Sequence, residues 1–79
     1  MVTPESIQSG IAAGMTCERV EVVGDGQHFQ ALVVSKEFAG KSRIQRHQLV
    51  YAALGDRMRE EVHALSMKTL TPEEFQAGG

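Results

Sequence analysis

Cys17 is the only cysteine in the chain, which excludes an internal disulfide and fits a reducing compartment. No apolar run approaches the ~20 residues of a membrane span, and residues 1–15 alternate polar and apolar too freely for a secretory signal. A soluble, cytoplasmic protein is therefore predicted. Low-complexity and Pro/Gly/Ser-rich tracts are missing as well, so no long disordered tail is expected. Positive charge is in short supply: 8 Lys and Arg stand against 10 Asp and Glu, for a net charge of −2. The molecule as a whole does not attract phosphate backbones strongly, and any nucleic-acid binding has to be local. There is no nucleophile with a recognisable base and orienting partner, no phosphate-cradling glycine loop and no paired-carboxylate motif. Enzymatic activity is the least supported class.

What is present suits one small folded domain. The 79 residues are 42% hydrophobic and 23% charged, and a chain of this length buries only about 60–65% of its unfolded surface, too little to enclose a deep active site. Thr3, Pro4 and Glu5 carry the signals of a helix start: an N-cap, a proline at the first helical position and an acid at the positive end of the dipole. Val2 and Ile7 form a hydrophobic staple, and Ile7, Ile11 and Met15 mark a helical stripe, so a helix over 4–13 is predicted, with Gly14 as a left-handed terminator. From Arg19 to Val34 the period changes to two. Val20 and Val22, then Phe29, Ala31 and Val33, define two half-buried strands, joined as an antiparallel hairpin through Gly24-Asp25-Gly26-Gln27.

Ser42 and Gln45 make a capping box for a long central helix reaching Glu60 or Glu61, whose stripe is Ile44, His47, Val50, Tyr51, Leu54 and Met58. Gly55 weakens that helix without breaking it. Ala64 to Leu70 alternates as a third strand. Thr71, Pro72 and Glu74 then repeat the capping device for a short closing helix, with Leu70 and Phe75 as staple. The order helix, strand, strand, helix, strand, short helix predicts an α+β two-layer sandwich, a three-stranded sheet with one face covered by helices. The pattern leaves open whether strands two and three run parallel.

Three histidines and one cysteine are too few to close a tetrahedral metal site unless all converge. Metal binding would therefore draw further ligands from a second molecule, which is an adaptor's role. His63 shares the parity of Leu65 and Met67; it reads as a ligand, as a histidine at the core edge, or as a cation favouring the central helix dipole. His28, at the mouth of the hairpin, is either a solvated turn residue or a side chain able to reach the start of a neighbouring strand. His47 lies on the helix stripe near Tyr51, and packing is favoured there over ligation. Cys17 reads as a small buried hydrophobe. Lys41, Arg43 and Arg46 gather at the start of the central helix, where they either grip phosphates together with helix N–H groups or form a solvated basic turn.

Five segments in sequence, Gly24-Asp25-Gly26-Gln27-His28-Phe29, Phe38-Ala39-Gly40-Lys41-Ser42-Arg43, Arg46-His47-Gln48-Leu49-Val50-Tyr51, Val62-His63-Ala64-Leu65-Ser66 and Thr71-Pro72-Glu73-Glu74, resemble the BolA family in order and spacing. The resemblance runs from about Ile7 to Phe75, and the hairpin is similar to the IbaG branch. It implies a class II KH-like fold and a non-enzymatic role beside monothiol, CGFS-type glutaredoxins in iron–sulfur cluster handling, iron homeostasis and stress response. It also implies a shared [2Fe-2S] cluster, with thiolates from glutaredoxin and glutathione and histidine from the BolA-like partner; none is expected in the isolated chain. The histidine of the C-terminal motif falls on His63, and the hairpin-loop ligand falls on His28. Histidine on an iron of a [2Fe-2S] centre is established chemistry, and such ligation predicts cluster loss as pH falls toward ~6.5. Family members are also described as transcriptional regulators, which makes DNA the alternative partner of Lys41, Arg43 and Arg46. KH domains clamp nucleic acid with Gly-x-x-Gly, however, and Gly40-Lys41-Ser42-Arg43 lacks the second glycine. Whether the chain forms a homodimer stays open.

Overall fold

The computed structural model describes residues 2–58 and 64–78. Along the chain it has α1 (Pro4–Gly14), β1 (Arg19–Gly24), β2 (Phe29–Val34), α2 (Arg43–Leu54), β3 (Leu65–Leu70) and α3 (Pro72–Gln76), with 3-10 turns at Lys36–Phe38 and Gly55–Met58. This is the predicted order. All three helices among the described residues start on reciprocal caps. Thr3 Oγ1 accepts from the Ser6 N–H at 3.1 Å and Ser6 Oγ from the Thr3 N–H at 3.0 Å. Ser42 pairs with Gln45 and Thr71 with Glu74 in the same way. An N-cap of this kind stabilises its helix by about 1 kcal/mol.

The sheet has the order β1-β2-β3. β1 and β2 are antiparallel, with Val22 opposite Ala31 and Gly24 opposite Phe29. β2 and β3 are parallel, with Phe29 opposite Leu65 and Val33 opposite Thr69. A parallel pair needs a crossover, and the stretch that holds α2 supplies it. The alternating residues Val22, Phe29, Ala31, Val33 and Leu65 meet Ile7 and Ile11 of α1, Val50 and Leu54 of α2, and Phe38 of the 3-10 turn in one core. Burying an aliphatic or aromatic side chain of this size contributes about 1.5–3 kcal/mol. α1 and α2 cover that face. Phe75 of α3 lies on the other side, beside Glu21, Val23, Gln30, Leu32, Ser66 and Lys68, and Arg19 stands over its ring at 5.3 Å.

Both edges of the sheet are met by a helix side chain. Gln8 of α1 accepts from the Val22 N–H at 3.3 Å, and Arg46 of α2 donates to the Thr69 carbonyl at 3.1 Å. Each contact takes up a backbone group on an edge strand, where unpaired groups invite pairing with other chains.

Three local expectations are corrected. Gly14 is not left-handed: it closes α1, and the cap at Met15 is extended. Its glycine answers a spatial demand, because a Cβ there would lie 2.5 Å from the Ala53 carbonyl oxygen of α2. Gly55, expected within a continuous helix, has φ +62° and ψ −135° and ends α2 at Leu54, a backbone region open almost only to glycine that costs other residues about 1–3 kcal/mol. The chain beyond Met58, including Glu60 and Glu61, lies outside the described residues. Ile44 is 71% exposed, not core. The buried face of α2 is centred on Val50 and Leu54, and at ~100° per residue Ile44 stands about 80–120° away from them.

Candidate functional site

His28 is positioned by the turn before it. The Asp25 carboxylate accepts from the backbone N–H of Gln27 at 2.9 Å and of His28 at 2.8 Å, and the Asp25 N–H reaches back to the His28 carbonyl at 3.2 Å. This Asx turn leaves the His28 side chain exposed. The N–H groups of His28 and then of Gln27 hold the Asp25 carboxyl below its ordinary value, so the clasp stays charged at neutral pH. The parallel register then sets Leu65, the first residue of β3, opposite Phe29, so β3 starts at the end of the sheet where His28 stands. His63 lies outside the described residues. Among those residues no three His, Cys, Asp or Glu side chains group to hold a metal.

The two other soft-ligand candidates sit apart from His28. Cys17 is half-buried, with its thiol directed at the Met15 carbonyl at 3.8 Å. Burial, then the charges of Glu37 and Glu18, push that thiol up, away from thiolate character. His47 is half-buried on α2, and desolvation, then the Arg43 charge, lower its pKa. Both placements agree with packing roles.

Lys41, Arg43 and Arg46 do come together. With His47, Met67, Lys68, Thr69 and Glu74 they line a cleft of about 520 Å³ between α2 and β3. Arg46, however, is engaged by its own protein. Its guanidinium donates to both Glu74 carboxylate oxygens (2.7 and 3.3 Å), to the Thr69 carbonyl and to the Lys41 carbonyl (3.0 Å), and it lies over the Phe38 ring. That fork, followed by the Thr71 N–H, brings the Glu74 carboxyl down to about 2. Sequence reasoning missed this pairing, since the residues stand on different helices; Glu74 was read only as a capping residue.

Comparison with known proteins fits this geometry. The family model described as BolA-like protein matches residues 7–74. The chain is 39% identical over 70 residues to the acid stress protein IbaG of Escherichia coli (strain K12), covering 87% of this chain and 83% of that protein. It is 37% identical to the DNA-binding transcriptional regulator BolA of Haemophilus influenzae, over 68% of this chain and 52% of that one. The solved structure of a BolA homologue from Coxiella burnetii superposes with a TM-score of 0.84 at 45% identity, covering 96% of this chain and 99% of the other. A match to almost the whole sequence, on the same α+β architecture, places the chain in the BolA family.

Proposed function

We propose that this protein is a non-enzymatic adaptor that pairs with a monothiol, CGFS-type glutaredoxin to hold or pass on a [2Fe-2S] cluster. His63 and His28 are the ligands it offers, and the cluster is cargo shared with glutaredoxin and glutathione. The observation that carries this reading is the register at one end of the sheet: an Asx turn fixes the backbone at His28, its imidazole faces solvent, and β3 begins alongside at Leu65. An exposed imidazole on a fixed backbone turn, with no set of further ligands among the described residues, suits an open half-site completed by a second protein. Low thiolate character at Cys17 is consistent with the sulfur ligands coming from the partner.

A DNA-binding role has less support. It draws on the name of the Haemophilus relative and on the basic cleft, but Arg46 is closed onto Glu74, and the net charge is −2.

The test is reconstitution of the chain with a CGFS-type glutaredoxin, iron, sulfide and glutathione, followed by visible absorption and circular dichroism. The heterocomplex is expected to give a spectrum distinct from that of glutaredoxin alone. His63→Ala should abolish the difference and His28→Ala should weaken or alter it. An unchanged spectrum with His63→Ala would remove the ligand assignment.

A further inference from the structure

The cleft between α2 and β3 concentrates charge of the sign the chain lacks. Lys41, Arg43, Arg46 and Lys68, four of the eight Lys and Arg residues in a chain of net charge −2, line it together with His47. Its acidic wall residue, Glu74, is cancelled by the two-pronged contact with Arg46. Lys41, Arg43 and Lys68 are all exposed, so three full cations, from the start of α2 and from β3, line one concavity, Lys68 at the rim it shares with the outer face of the sheet. α2, twelve residues long, starts there and adds the positive end of its dipole.

We infer that this cleft binds a compact polyanion of the phosphoryl class. The shape decides against an extended phosphate backbone. Single-stranded and duplex nucleic acids are followed by cations spread along a track. Here four cations converge on about 520 Å³, while the other cations with described side chains, Arg19, paired with Glu21, and Lys36, are not among its walls. Two phosphoryl oxygens can be shared between Lys68 and the Lys41–Arg43 turn, with His47 as a further donor, and Met67 closing the apolar side. The inference does not rest on the glutaredoxin reading.

The experiment is an amide chemical-shift titration of the intact chain with inorganic pyrophosphate at ~0.15 M salt, where long-range screening is strong. Saturable shifts centred on Arg43, His47 and Lys68 are expected, with a Kd of about 1 mM or tighter. Arg43→Ala and Lys68→Ala alter exposed side chains, so circular dichroism should show an intact fold. Each should weaken binding about three- to fivefold, and the pair about tenfold or more. A parallel titration uses a duplex DNA oligonucleotide. Weaker binding by the duplex supports the compact ligand. Tighter duplex binding through the same amides reassigns the cleft to nucleic acid and overturns the inference. It is also overturned by non-saturating shifts, or by shifts at Arg19 and Lys36 as large as those at Arg43 and Lys68.

Discussion

Arg46 does more for this fold than its place in a basic turn suggests. Its guanidinium ties the start of α2 to the edge of β3 and to α3 through the Lys41 and Thr69 carbonyls and the Glu74 carboxylate, and its side chain is only 13% exposed. Arg46→Ala is therefore expected to cost about 1.5–3 kcal/mol, the range for lost hydrogen bonds from a charged donor, and a urea titration measures it. The same contact makes stability depend on acid. The Glu74 carboxyl titrates at about 2 in the fold against an ordinary 4.5. A folded-state value below the unfolded one means that its contribution is complete above about 4.5 and disappears as pH falls through about 2. Glu74 is half-exposed, so solvent screens the effect. Urea midpoints measured at pH 5, 3.5 and 2 should fall for the parent chain, and Glu74→Gln should flatten that part of the decline attributable to this carboxyl. An equal slope in both proteins would take the acid sensitivity away from the Arg46–Glu74 pair.

At the scale of elements, two glycines at helix ends serve unlike purposes, and their substitutions separate them. Gly14 gives room for α2: an added methyl would meet the Ala53 carbonyl oxygen at 2.5 Å and the Ala53 Cβ at 2.7 Å. Gly14→Ala is expected to destabilise by about 1–3 kcal/mol from overpacking, outweighing the ~1 kcal/mol that alanine gains over glycine inside a helix. Gly55 has open space around it but a φ of +62°. Gly55→Ala should cost about 1–3 kcal/mol from backbone strain, and Gly55→Asn about as much, since a ψ of −135° lies outside the left-handed helical region that asparagine tolerates. Thermal unfolding of the three variants checks these losses. The contrast also shows what was legible in the sequence. The helix starts could be read because Ser42–Gln45 and Thr71–Glu74 interact within one turn, and the strands because Phe29, Ala31 and Val33 repeat at period two. The role of Gly14 could not be read, because it is set by Ala53 on another helix. Ile44 misled because spacings of three and four define a stripe without saying where on the helix its centre falls.

For the whole molecule, the features that build the candidate sites are the non-local ones. The parallel pairing of β2 with β3, the meeting of Arg46 with Glu74 and the gathering of Lys41, Arg43 and Lys68 all join segments distant in sequence, which no local pattern encodes. The candidate site was legible only in part: the turn chemistry at Asp25 marked His28 as the mouth of a hairpin, while the start of β3 at the same end of the sheet came from the register alone. Topology also bears on folding. β1 and β2 close a short turn, whereas β3 can pair only after the chain from Ser35 to Ala64 has folded back, and long loops cost more entropy to close. In a kinetic mutational series, Val22→Ala is expected to slow folding more, relative to its effect on stability, than Leu65→Ala does; the reverse order would place β3 in the nucleus. The parallel register has one more consequence, for protein quality in the cell. A nascent or proteolysed chain that stops short of Leu65 leaves β2 paired with β1 alone, so incomplete molecules expose the unpaired backbone of β2 beside His28 as an edge open to other chains.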